Sequence, residues 1–151
     1  MKTNNEWQRK NRDYLNKYAR EYRQKNKQKV QAIVCKSTKK RLKKDVTFRL
    51  SHSIRCSISS SIRRMGYTKK SRTYKILGCT FEELKQHLKS QFQEGMTWDN
   101  YGRDGWHIDH IYPVSKARDE QHLLELNHYT NLQPLWKRDN MAKGNRLDWS
   151  E

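Results

Sequence analysis

The sequence predicts a mostly helical α+β chain. A basic helical N-terminal region comes first, and a small C-terminal element of two short strands and one helix follows. Three observations carry this expectation. The first glycine is Gly66 and the first proline is Pro113, so nothing in the first 65 residues forces a helix to break. Charge is divided unevenly: residues 1–75 hold 24 Lys and Arg against 4 Asp and Glu, and residues 76–151 hold 9 against 12. Beyond residue 104, short apolar runs alternate with turn residues in the order strand, excursion, strand, helix.

At 151 residues the chain has room for one domain with a modest core, or for a small domain with a long arm. Hydrophobic residues make up 33% and charged residues 32%, so part of the chain is expected to be extended or to depend on a partner. The net charge of +17, concentrated in the first half, points to a polyanion-binding half joined to a half with another task. Nucleic acid is the first candidate partner, because each phosphate met by Lys or Arg releases counterions. A membrane partner is not expected. No apolar run approaches the ~18 residues of a spanning helix, no signal-peptide core follows Met1, and the basic segment lacks an apolar face for an interface. Cys35, Cys56 and Cys79 are odd in number and form no CxxC pair. They read as reduced thiols of a cytosolic protein, with no disulfide framework and no zinc knuckle.

Three regions are expected: a basic helical arm (1–47), a helical DNA-binding and connecting region (48–94), and a C-terminal domain (95–151). In the arm, Trp7, Tyr14, Tyr18 and Tyr22 recur at helical intervals. They fit either a stripe resting on the rest of the protein or a helix lying along DNA. Residues 48–65 place Leu50, Ile54, Ile58, Ile62 and Met65 on one face of a helix that ends at Gly66. Arg49, Arg55, Arg63 and Arg64 lie elsewhere on that helix. With Lys69 and Lys70 they are expected on DNA phosphates. Thr80 and Glu83 form a capping box, opening a helix over 80–92 with Phe81, Leu84, Leu88 and Phe92 inward and Gly95 at its end. His87 reads as a surface residue, and Met96 and Trp98 pack under the next element. Residues 105–115 are a short strand turning at Pro113. A helix over 118–128 follows, with His122 and His128 structural. Residues 131–136 are a second strand, and 137–146 a compact helix ending near Gly144. Trp106, Ile108, Ile111, Leu132, Leu135 and Trp136 are the expected core of this element.

Asp109-His110, Asn131 and Asn140, at these spacings and on these elements, resemble the motif of the HNH, or ββα-metal, endonucleases. Asn stands as the third letter, a variant familiar among HNH nickases and homing-type enzymes. The wider text LGCTFEELKQHLKSQF, EGMTWDNYG, WHIDHIYPVS, HYTNLQPLW and RDN resembles small phage-borne HNH endonucleases over roughly residues 74–146. The resemblance implies a ββα-metal fold and metal-dependent phosphodiester hydrolysis. His110 is the natural general base, since an unperturbed imidazole titrates near neutrality. Asp109 supplies a hard anionic oxygen and Asn140 a neutral amide oxygen to one divalent ion. Two oxygens and one charge suit Mg²⁺ or Mn²⁺ better than Zn²⁺. Adjacent strand residues point to opposite sides, so base and metal could bracket one phosphate. The resemblance gives Asn131 the task of tying the excursion to the strands and steadying the base histidine. Lys143 shares a helix face with Asn140, where a phosphate contact and a surface lysine are both open readings. His107 shares a strand face with Asp109 and is open between a supporting partner, a ligand, a phosphate contact and a packed structural residue. Many relatives hold this small fold with zinc on cysteine pairs. This chain has none, and no structural zinc is expected.

The leading expectation is therefore an endonuclease on double-stranded DNA, nicking as a monomer or cutting both strands as a homodimer, in the cytoplasm of a bacterial or phage-infected cell. Arg138 and Arg146 on the last helix are expected to add DNA contacts. The competing expectations are a DNA-binding accessory protein with a vestigial nuclease fold, such as one assisting phage packaging, and an HNH enzyme acting on RNA.

Overall fold

The computed structural model describes residues 2–102 and 104–149, with the backbone alone for 2–5. The chain divides into two compact units, Met1–Lys44 and Asp45–Glu151. No helix among the described residues is long and apolar enough to cross a membrane.

The first unit contains α1 (Lys2–Lys10), α2 (Arg12–Lys25) and α3 (Lys27–Lys44). Asn11 and Asn26 separate them, and each asparagine side chain donates to a carbonyl four residues back, at Trp7 and Tyr22. The backbone amides of both asparagines donate to the same two carbonyls, so each of these carbonyls accepts twice at the joint. α2 and α3 bury no residue. Trp7, Tyr14, Tyr18 and Tyr22 are all exposed, and Tyr18 and Tyr22 stack on each other at 6.4 Å. The stripe is real as a helix face, but it does not form a buried seam.

The second unit opens with α4 (Val46–Arg64), capped by the Asp45 carboxylate, which accepts from the Phe48 amide. This cap is a physical start signal, so the unit begins at Asp45, slightly before the expected border at residue 47. α4 ends in a Schellman turn: Gly66 N–H donates to Arg63 O and Tyr67 N–H to Ile62 O, with Gly66 at φ +81°. Next come α5 (Thr73–Leu77), α6 (Phe81–Lys89), β1 (Trp106–His110), α7 (Glu120–Leu126), β2 (Leu132–Trp136) and α8 (Lys137–Lys143). Leu50, Ile54, Ile58 and Ile62 of α4 bury against Leu84 and Leu88 of α6, Leu123 of α7 and Leu132 of β2, with Ile108 of β1 packed on them. Residues 48–94 and 95–151 therefore share one core, and residue 94 is no structural border. An aromatic cluster adjoins it: Trp106 is fully buried, with Tyr101 at 4.6 Å, Phe92 at 4.9 Å and Trp98 at 5.3 Å.

Several expectations are corrected. The capping box of Thr80 and Glu83 is formed, but α6 stops at Lys89 rather than reaching Phe92. Its last amides tighten to bonds from Gln91 to Leu88 and from Phe92 to Lys89, which turns the Phe92 ring onto Trp98 and Trp106. His87 is not a surface residue: it is half-buried, its Nε2 donates to Leu132 O at 3.1 Å, and Tyr129 meets its ring edge-on. Met65 and Ile111 are exposed, because α4 and β1 each end one residue earlier.

Candidate active site

β1 and β2 pair antiparallel, with Trp106 opposite Trp136, His107 opposite Leu135, Ile108 opposite Pro134, Asp109 opposite Gln133 and His110 opposite Leu132. Side chains alternate across a strand, so His107 and Asp109 share one face, and Trp106, Ile108 and His110 share the other. α8 follows β2 directly and packs on both strands. Asn140 and Lys143, three residues apart, occupy one stripe of it.

That stripe meets the Asp109 face. Asn140 Nδ2 lies 3.3 Å from His107 Nδ1. Lys143 Nζ lies 2.8 Å from Asp109 Oδ2 and donates to the backbone carbonyl of His110 at 2.7 Å. Gln133 Nε2, the cross-strand neighbour, donates to the same Asp109 oxygen at 3.0 Å. Lys143 keeps only 4% of its surface, so neither a surface lysine nor a freely projecting phosphate contact describes it. A primary ammonium has three donors, and here the carboxylate and the carbonyl take two of them. His107 is held by Asn140 and stands beside Asp109.

His110 turns the other way, toward α4 and α7. Burial is the largest influence on its pKa and lowers it below the ordinary 6.5; the Asp109 carboxylate and a hydrogen bond to the Asn127 side chain oppose this, and the Lys143 cation adds to it. Asn127 is itself 1% exposed. Its Nδ2 donates to Leu123 O at 2.7 Å, and its amide group meets Ser61 Oγ of α4 through Nδ2 at 3.3 Å and through Oδ1 at 3.4 Å. Asn127 is thus a side-chain partner of His110 in addition to the residues of the motif. The sequence carries no sign of this, because the pairing depends on α4 and α7 being packed together. His110 also lines a cavity of about 310 Å³ whose other polar walls are Arg49, Ser53, Ser57, Tyr101, His107 and Asn127.

Asn131 clamps the chain after β1. Its Oδ1 accepts from Tyr112 N at 2.8 Å, and its Nδ2 donates to Tyr112 O at 3.0 Å and Leu126 O at 2.8 Å. One side chain thus ties the strand exit to the end of α7, and an amide offers both the donors and the acceptor for the task, where a carboxylate would only accept.

The fit of a divalent ion can be tested on the donors. Asp109 and Asn140 are both on the α8 side of β1, and both offer oxygen, the hard donor that Mg²⁺ and Mn²⁺ prefer. Among the described residues no three His, Cys, Asp or Glu side chains converge, so an ion here would rest on one carboxylate, one amide and solvent. Lys143 already neutralises one oxygen of that carboxylate. The residues fit a sparsely held ion that competes with the lysine for Asp109.

The cations expected on DNA fall into different settings. Arg49 is half-buried: its guanidinium lies over the Tyr101 ring at 5.2 Å and donates to the Trp98 carbonyl. Part of this guanidinium is therefore engaged within the protein. Arg55 is exposed over Phe81 at 5.0 Å. Arg63 and Arg64 are exposed at the end of α4. Lys70 faces Glu120 at 3.4 Å, and Lys69 donates to Ser71 O. Arg138 is exposed, and Arg146 folds back on Ala142 O and over Trp149. Burial pushes the Cys79 thiol up to about 11, with Glu83 adding to the shift, so this cysteine stays protonated near neutrality.

No family model matches the chain, and no solved structure matches it. Two curated relatives, both uncharacterised proteins of Acanthamoeba polyphaga mimivirus, are similar to it. One is 29% identical over 111 residues, covering 72% of this chain and 48% of its own length. The other is 28% identical over 128 residues, covering 83% and 55%. The chain spans about half the length of these relatives.

Proposed function

We propose that the chain is a metal-dependent endonuclease of the HNH type acting on double-stranded DNA. The observation that carries this reading is the arrangement around β1. Asp109 and Asn140, far apart in sequence, come to one side of the strand, while His110, the next residue, is held on the other. In an in-line displacement the base stands on the attacking side and the charge stabiliser on the leaving side. Adjacent residues of a strand end satisfy both demands.

His110, kept neutral by burial, accepts the proton of the attacking water; Asn127 fixes its ring. Asn131 holds the strand exit so that His110 and Tyr112 keep their register. Asp109 and Asn140 would hold the divalent ion, which when bound supplies positive charge to the phosphoryl oxygens and to the leaving 3′ oxygen. Exposed cations of α4 and the basic 1–44 unit bind the phosphate backbone.

The test is a supercoiled plasmid incubated with Mg²⁺, with and without EDTA. Relaxed or linear product is expected only with free metal, and His110→Ala should retain DNA binding while losing cleavage by about a hundredfold or more. Cleavage by that variant at the wild-type rate would remove the base assignment. A second reading, a DNA-binding accessory protein on a vestigial nuclease fold, draws on one observation: the Lys143 ammonium occupies the Asp109 carboxylate. On that reading the plasmid is bound but stays supercoiled with every divalent metal.

A further inference from the structure

The cavity beside His110 has features that the motif residues do not account for. Its polar walls are Arg49, Ser53 and Ser57 of α4 together with Tyr101, His107, His110 and Asn127. Its apolar walls include Ile54, Ile58 and Leu132, each at most 3% exposed. A space of about 310 Å³ lies at the small end of ligand-sized pockets, roughly 300–1,000 Å³. It has an apolar body and convergent polar groups, which is the usual chemistry of a site for a small amphipathic molecule.

Arg49 sets the charge. Its Nη2 is spent on the Trp98 carbonyl and its plane rests on Tyr101. The buried Nε finds no hydrogen-bond partner among the described residues. A buried donor of a charged group left unsatisfied is costly, and among the described residues the cavity walls include no carboxylate to relieve it. An acceptor oxygen carrying negative charge would, and guanidinium groups favour phosphate oxygens for this purpose. Ser53 and Ser57, one turn apart on α4, present hydroxyls on the same wall.

We propose that this cavity receives one nucleotide of a DNA strand, its phosphodiester oxygen bonded to Arg49 Nε and its sugar and base against Ile54, Ile58 and Leu132. The ligand class is a phosphodiester with an apolar body, which neither inorganic phosphate nor a nucleoside alone supplies. The identification of the ligand as DNA rests on the nuclease reading; the pocket itself does not. Occupied in this way, the cavity places a strand beside His110 and makes Arg49 a residue that binds the strand directly. It also favours a nucleotide lifted out of its stack, so bubbles and mismatches would be bound in preference to perfect duplex.

The test uses the full chain in EDTA, with enough salt to screen the basic 1–44 unit, and follows ¹H–¹⁵N resonances. The probes are thymidylyl-(3′→5′)-thymidine, inorganic phosphate and thymidine. The dinucleotide is expected to shift the Arg49 Nε–H, Ser53, Ser57 and Asn127 signals saturably, and the other two probes to bind about tenfold more weakly or worse. Arg49→Ala should weaken the dinucleotide by about tenfold. Because Arg49 also supports Trp98, Ser57→Phe is the second variant. It fills the cavity from an exposed wall, leaves the Arg49 contacts in place, and should abolish the saturable shifts while the remaining amide spectrum is retained. Unchanged dinucleotide binding in Ser57→Phe, or shifts confined to residues 2–44, overturns the proposal. Saturable cavity binding in a protein that never nicks plasmid would retain the pocket and discard the nuclease reading. Nicking without cavity binding would do the reverse.

Discussion

At the scale of single residues, burial sets what His110 and Lys143 can do. Burial lowers the His110 pKa below the ordinary 6.5, so between that lowered value and about 6.5 the unfolded chain binds a proton that the folded chain does not. The associated stability is fully present above about 6.5 and is lost as pH falls through the folded value. Thermal melts from roughly pH 8 to 5 should show the wild-type midpoint falling further than that of His110→Gln; parallel curves would mean that this histidine contributes nothing to the acid limb. The same neutrality suits a general base, so cleavage should be flat above neutrality and decline on the acid side. Lys143 raises a different issue. Its side chain and that of Asp109 are 5% and 11% exposed, and removing one partner of a buried pair strands the other charge. Lys143→Met should therefore cost about 3 kcal/mol of stability. If Asp109 and Asn140 hold a cation, Mn²⁺ should raise the melting temperature of Lys143→Met by more than that of wild type, since the ion replaces the lost ammonium. An equal or absent Mn²⁺ effect in the two proteins would count against that ion site.

At the scale of elements, much of what holds the site was legible and some was not. The α4 face of Leu50, Ile54, Ile58 and Ile62 is readable because a four-residue apolar interval and a terminal glycine are local signals. The capping box at Thr80 and the order strand, excursion, strand, helix are readable for the same reason. The end of α6 was not, because Phe92 leaves the helix to join Trp98 and Trp106, partners that only the tertiary fold supplies. Asn127 was missed likewise: its value lies in Ser61, 66 positions away, and in His110. The three-residue spacing from Asn140 puts Lys143 on the same helix face, but its burial depends on how tightly α8 closes on β1. Asn131, whose side chain bonds both Tyr112 and Leu126, yields an element-scale prediction. Asn131→Ala loses three hydrogen bonds that tie the exit of β1 to α7, about 1 kcal/mol each, or roughly 2–3 kcal/mol in all. Asn131→Asp should do no better, since a carboxylate accepts from Tyr112 N but offers no proton to Tyr112 O or Leu126 O. Urea unfolding of the two variants measures this, and a nearly wild-type Asn131→Asp would mean that the donor half of the clamp is dispensable.

At the scale of the whole molecule, the two units differ in what they bury and therefore in what they can do. Residues 1–44 carry 16 Lys and Arg against 3 Asp and Glu, and α2 and α3 bury no side chain. Such a segment contributes little to a core but much to a polyanion's counterion balance. Residues 45–151 carry the shared core of α4, α6, α7 and β2 and every motif residue. Deleting residues 1–44 should therefore leave the melting temperature of the remainder within a few degrees while changing DNA binding sharply. Each phosphate contact contributes about 0.9 to the slope of log affinity against log salt concentration on duplex DNA. If the basic unit makes five or so such contacts, the slope flattens by roughly 4–5, and affinity at low salt drops far more than affinity at high salt. Cleavage per bound complex should stay near the full-length rate, because Asp109, His110, Asn131 and Asn140 all remain. Measuring the slope by fluorescence anisotropy on a short duplex separates two accounts of the 1–44 charge. A flattened slope assigns those cations to phosphates. An unchanged slope with an intact fold would leave Arg55, Arg63, Arg64 and their neighbours as the whole electrostatic contact, and would turn the exposed Tyr14, Tyr18 and Tyr22 face toward a protein partner instead.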